Sequence, residues 1–227
     1  MTRQTGFRLV FLGTMAVCAM MLLVSLFPYD TQRLLLTESG PFEALSVVGY
    51  VICILLMFLL WPVAEVAGRW YLPVVLALFA CRELDLDKIP FTEGLLKARQ
   101  YTGDTVPTGE LIWSGAILIG VVLTVLTLLI REIPGFFAKV FMARPACHAV
   151  LVGLLFIGMC KSIDGLERKL APYGIDVSDG LNRYTQIVEE VGEFGIPVMF
   201  GIAIYLSAAA LSYSDRRTDK HRNEQRA

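Results

Sequence analysis

Apolar runs close to 20 residues long recur along this chain, and they leave few folds open to it. A helix rises about 1.5 Å per residue, so roughly 20 apolar residues cross the ~30 Å hydrocarbon of a bilayer. In hydrocarbon every backbone N–H and C=O must find its partner within the protein, so repeated runs of this length mean a bundle of membrane-spanning helices. Six spans are expected: Arg8–Phe27, Phe42–Trp61, Trp70–Lys88, Leu111–Ile130, Pro145–Asp164 and Tyr184–Tyr213. Composition points the same way, with 56% hydrophobic and only 18% charged residues and a mean hydropathy of +0.61. A soluble domain carries about a quarter charged residues. The expected fold class is all-α, a polytopic bundle of about six transmembrane helices over residues 1–213. A basic, disordered tail is expected over 214–227.

The third and fifth runs are short. Their purely apolar parts, Trp70–Cys81 and Pro145–Cys160, have 12 and 16 residues. They cover only about 18 and 24 Å. To cross, each helix must carry its charged end inside, thin the bilayer, or shelter that end against other helices. The last helix has the opposite problem: it is long, and its first third carries Glu189, Glu190 and Glu193. The first run is too long for the apolar core of a secretory signal and no A-x-A follows it, so it reads as a retained helix. The five cysteines all fall in apolar segments with no C-x-x-C, which suits helix packing and not a disulfide framework.

Orientation follows lysine and arginine. Six spans place both termini on one side, and that side carries 11 basic and five acidic residues against nine and 16 on the other. Both termini are therefore expected in the cytoplasm, with the acidic face outward, toward the periplasm if the source is a Gram-negative bacterium. Arg131–Arg144 mixes basic residues with phenylalanines and reads as a short helix lying on the inner surface. Phe91–Tyr101 reads as an outer helix with Thr92 as its N-cap.

Charges gather at the outer ends of four spans: Glu38 and Glu43 before span two, and Arg82, Glu83, Asp85, Asp87 and Lys88 ending span three. Lys161, Asp164 and Glu167 end span five, and Glu189, Glu190 and Glu193 begin span six. Even spans enter from outside and odd spans leave to it, so all four groups share one depth and one side. Spacings of three and four residues let each set face inward as a stripe. Ten acidic residues meet three basic ones, an excess of seven negative charges if all ionise. In low dielectric some must be protonated, paired, hydrated or bound to a cation. Glu38, Asp87 and Glu167 are expected in water. Glu43, Arg82, Glu83, Asp85, Lys161, Asp164, Glu190 and Glu193 form the candidate polar cluster.

Histidine is nearly absent, so no zinc–histidine site is expected, and no haem or nucleotide motif is present. Carboxylates alone favour protons or a hard cation, Mg²⁺, Ca²⁺ or Mn²⁺, with Asp85, Asp164 and Glu193 as its ligands. Asp85-x-Asp87 matches a glycosyltransferase DxD only in two residues and has no nucleotide-binding domain beside it. Ser46 and Ser162 neighbour Glu43 and Lys161 and are candidate nucleophiles, although serine in such helices mostly packs. Three roles stand open: an outward-facing proton or cation site in transport, an enzyme acting on a lipid or lipid-linked substrate, and a scaffold in which the cluster is polar glue. The bilayer is the expected partner, and nothing points to nucleic acid. "RELDLDKIPFTEGLLKARQY", with "ESGPFE" before it and "EEVGE" opening the last helix, resembles a group of bacterial multi-pass inner-membrane proteins with no established activity. There an Arg-Glu-x-Asp helix end is followed by Phe-Thr and Leu-Lys. The resemblance implies the architecture and the choice of site, and no substrate. Zinc-dependent ceramidase-like hydrolases differ, having seven helices and histidine ligands that this chain lacks.

Overall fold

The computed structural model describes residues 2–37 and 40–224, with side chains as far as residue 211. Every regular element among them is helical. Helix α1 (Arg3–Ser25) is capped by Thr2, whose hydroxyl accepts from the Thr5 amide. Pro28 starts α2 (Tyr29–Leu35), where Gln32 turns back and donates from Nε2 to the carbonyls of Val24, Ser25 and Phe27. Those carbonyls lie at and just past the end of α1, where intrahelical donors run out. Pro41 sits in the first turn of α3 (Pro41–Leu60), where a missing N–H costs nothing. Then come α4 (Val63–Gly68), α5 (Tyr71–Glu83), α6 (Arg99–Thr102) and α7 (Thr108–Phe141). They are followed by α8 (Pro145–Ile163), α9 (Leu166–Leu170), a 3₁₀ turn (Ala171–Tyr173) and α10 (Asp179–Glu224).

Five helices, α1, α3, α7, α8 and α10, are long and apolar enough to cross a membrane, the build of a multi-pass membrane protein. Their outer faces carry side chains that water would not tolerate in such number, among them Phe11, Leu22, Phe58, Leu59 and Ile119, each more than 60% exposed. The expected third span is shorter than predicted. Helix α5 has 13 residues, about 20 Å, and stops at Glu83 instead of Lys88. Asp85 takes φ +51°, a left-handed conformation that aspartate tolerates and a helix does not continue through.

Helix α10 is the hub. It packs chiefly against α8, then α3 and α1, while α5 leans on α3. In its most apolar window 44% of residues are buried, against 11% for α7, which stands at the edge. Close approach depends on small residues. A Cβ at Gly192 would lie 2.7 Å from the Cys160 sulfur, and one at Gly49 would lie 2.9 Å from the Pro197 ring. Pro197, inside α10, has no N–H to give the carbonyl of Glu193 one turn earlier. Its own carbonyl accepts from the Cys53 thiol, and Trp61 Nε1 donates to the Ile204 carbonyl.

Two further expectations are corrected. Arg131–Arg144 is not a separate surface helix, because α7 runs unbroken to Phe141 with Pro134 inside it. Arg131 there donates to the Gly68 carbonyl and Glu132 accepts from the Tyr71 hydroxyl, so both charged residues tie α7 to α4 and α5. Thr92 caps no helix: residues 91–98 are turns, Gly94 has φ +102°, and the short α6 begins at Arg99. The last helix also starts earlier than expected, at Asp179. The tail expected over 214–227 lies beyond the described side chains, although the helical backbone of α10 continues to Glu224.

Candidate functional site

The last turn of α5 carries adjacent Arg82 and Glu83 in different directions. Arg82 reaches Glu193 of α10, Nη2 to Oε1 3.5 Å, and the same oxygen lies 3.7 Å from Lys161 Nζ of α8. Lys161 also donates to Asp164 Oδ2 at 3.1 Å. A chain of alternating charge, Arg82–Glu193–Lys161–Asp164, thus joins α5, α10 and the end of α8. The Glu193 side chain is 15% exposed, whereas Arg82 and Lys161 are about 40% exposed, so the two cations reach in from the rim. Asp164, the first residue past α8, has a carboxyl held below its ordinary range. Partial burial works against ionisation, but the Lys161 hydrogen bond and the charges of Lys161, Lys169 and Arg168 outweigh it.

Glu83 points the other way, into the bundle, and is only 8% exposed. It makes no ion pair or side-chain hydrogen bond among the described residues. The charges that act on it are Glu193, Arg82, Glu43 and Lys161. Glu190 sits in the field of Glu193, Glu189, Glu43 and Glu83. The structure therefore brings together seven of the eight candidate residues: Glu43, Arg82, Glu83, Lys161, Asp164, Glu190 and Glu193. Asp85 does not join them. The turn at Glu83 swings it outward, where it pairs with Lys88 and is half exposed.

The hard-cation set Asp85, Asp164 and Glu193 does not assemble. Asp164 and Glu193 already share the Lys161 ammonium, and Asp85 is engaged elsewhere. Among the described residues no three histidine, cysteine, aspartate or glutamate side chains are grouped to hold a metal ion. The nucleophile candidates are also spoken for. Ser46 donates to the Phe42 carbonyl and Ser162 to that of Gly158, each one turn back along its own helix. Glu38 lies outside the described residues. Glu167, expected in water, is exposed and accepts from Asn182, whereas Asp87 has one carboxylate oxygen buried without a partner.

Sequence reasoning missed Tyr50. It is fully buried in the middle of α3, stacked on Phe79 at 5.5 Å between ring centroids, and its hydroxyl has no hydrogen-bond partner among the described residues. The charges of Glu83, Glu193 and Arg82 bear on it. Its signal was faint: a tyrosine seven residues beyond Glu43, two helical turns along the same face. A polar cap over the start of α7 was missed as well. Glu110, in the first turn of α7, accepts from the Thr92 amide and hydroxyl and from Gln100 Nε2, at 2.7, 2.8 and 2.8 Å. Gln100 is wholly buried, and its Oε1 accepts from the Glu93 amide. Phe91 stacks on Trp113. Residues 91–102 are thereby fastened over the start of α7.

The arrangement can hold carboxylates at several levels of solvent access around a buried one that makes no ion pair among the described residues. No family model, curated protein or solved structure matches the chain, so the resemblance to bacterial inner-membrane proteins rests on its short motifs alone.

Proposed function

We propose that the chain crosses a bacterial inner membrane six times, with both termini in the cytoplasm, and that its outward-facing carboxylate cluster takes up and releases a proton in an ion-coupled role. The carrying observation is Glu83, buried without an ion pair among the described residues while Arg82 and Lys161 converge on Glu193. A cluster so short of positive charge cannot keep every carboxylate ionised in low dielectric. The sixth crossing is α5. Its 13 residues are short of the bilayer, but it packs against α3 and α7, and turns follow it at the outer end. The inner halves of the helices supply little for a conduit, since Thr14, Thr124 and Thr127 all donate to carbonyls one turn back. Exchange from the outer side alone fits that distribution. Infrared difference spectra of the purified protein across a pH series test the idea. A protonated-carboxyl C=O band that titrates in the wild type and is lost in Glu83→Gln is expected, and a wild type without any such band would sink the reading.

A second reading is favoured by one observation, that Glu193 ties three helices through Arg82 and Lys161. In it the cluster is structural and the protein is a membrane scaffold. That reading predicts a loss of stability in Glu193→Gln and no titrating band.

A further inference from the structure

A cavity away from the carboxylates lies between the end of α3, the short α4 and the start of α5. It measures about 490 Å³, and every residue lining it is apolar. Ile54 and Phe58 form the α3 wall, Trp70 and Ala77 the α5 wall, and Val66 and Ala67 of α4 lie between them. The hollow follows from the sequence. Pro62 stops α3 at Leu60 and turns the chain aside into α4 before the next span begins. Alanine at positions 67 and 77 then leaves open a space that Phe58 and Trp70 bound. Its walls are tied down from outside. Trp61 Nε1 donates to the Ile204 carbonyl at 3.1 Å, just past the α3 wall, and the Tyr71 hydroxyl donates to Glu132 at 2.6 Å, beside Trp70. Phe58, Trp70 and Val74 remain exposed, so the cavity opens to the outside of the bundle.

Depth identifies what it opens to. Ile54 stands six residues before the end of α3, about 9 Å along the axis, so the cavity occupies the last third of a helix long enough to span. The solvent at that depth is hydrocarbon. Trp70 and Tyr71 stand at the rim, as aromatic side chains do where a bilayer meets water. Beside them Arg131 donates to the Gly68 carbonyl, with its guanidinium 5.8 Å from the Tyr71 ring centroid. Arg131 is exposed and makes no ion pair among the described residues, so the rim offers a charge that a phosphate complements. The chain's own tail cannot fill the space, because residues 212–227, "SYSDRRTDKHRNEQRA", are almost wholly polar. We propose that the cavity holds one acyl chain of a phospholipid whose phosphate lies at Arg131. In the topology proposed above that lipid belongs to the cytoplasmic leaflet. The site rests on the chain crossing a membrane and not on the role of the carboxylates.

The test uses the full chain in nonionic detergent, titrated with phosphatidylglycerol brominated in mid-chain, which quenches tryptophan on contact. Quenching should saturate near one lipid per chain, and native mass spectrometry should show that lipid retained. Trp70→Phe should remove the saturable quenching and leave the retained lipid in the mass spectrum. Ala77→Phe fills the hollow and should abolish both signals. Ala67→Phe, at an exposed position of α4, should do the same and serves where Ala77→Phe fails to fold. Ala116→Phe, an equal change on an exposed face of α7, should leave both as in the wild type. Arg131→Gln should weaken retention several-fold through the loss of a charge-assisted contact. The proposal is overturned by quenching that grows with lipid without saturating, or by retention unchanged in the two filling variants and Arg131→Gln. It is overturned too by an equal loss in Ala116→Phe, or by a dimer that the filling variants dissociate, which would make a second copy of the chain the occupant.

Discussion

Replacing Tyr50 with phenylalanine should stabilise this protein, a result that its buried position beside three charged side chains would not suggest at first sight. The substitution removes one oxygen and leaves the ring, and with it the near-parallel stack on Phe79 (interplanar angle 11°). What it removes is a hydroxyl that is buried and makes no hydrogen bond. Leaving such a group unsatisfied costs about 1–3 kcal/mol, so its deletion recovers part of that amount. For a chain of this size each kcal/mol is worth roughly 2–4 °C in Tm. Thermal unfolding in detergent, followed by tryptophan fluorescence, should place Tyr50→Phe a few degrees above the wild type. Tyr50→Ala, which also empties the ring's space, should fall well below it, at a cost of about 3–5 kcal/mol. A Tm for Tyr50→Phe below that of the wild type would refute the reasoning. It would mean that the hydroxyl is bonded, through water or directly to Glu83, and belongs to the polar network.

Three other outcomes are expected. Glu110→Ala removes the acceptor that collects Thr92 and Gln100, so amide hydrogen exchange over residues 91–102 should accelerate while that of α10 stays as it was. Gly192→Val drives a side chain into the Cys160 sulfur and should destabilise by about 1–3 kcal/mol, seen as a lower Tm or a lower yield of monodisperse protein. Asp164 is held below its ordinary range, so it contributes stability above the pH at which the unfolded carboxyl titrates, and that contribution fades as pH falls through the lower folded value. A pH series of Tm for the wild type and Asp164→Asn should converge at the acid end and separate above it.

The spanning helices were legible because length and hydropathy alone decide what can cross hydrocarbon. The meeting of Glu43, Glu83, Lys161 and Glu193 was legible for a similar reason: antiparallel spans bring alternate ends to one side, whatever the packing. Where α5 stops was not, because the left-handed turn at Asp85 is one of several that an Asp- and Lys-rich segment can make. Arg131–Arg144 reads as a separate helix in sequence, yet α7 runs through it, and Arg131 and Glu132 find partners on α4 and α5 that only the fold supplies. Nothing in the sequence marks Gln32 or Gln100 as buried. Their burial depends on carbonyls and carboxylates contributed from elsewhere, and composition carries no trace of it.

Proline 197 has a mechanical consequence. It leaves α10 one hydrogen bond short at Glu193, so the helix is softest where its carboxylate meets Arg82 and Lys161. Glu193 therefore lies near a pivot and Arg183 near the tip of a lever. Ten residues separate them, about 15 Å along the axis, so a tilt of about 10° would carry Arg183 through roughly 2.6 Å while Glu193 barely moved. Small bending at the ion pairs would thus be magnified toward the start of α10, where Arg183 lies over the Tyr29 ring.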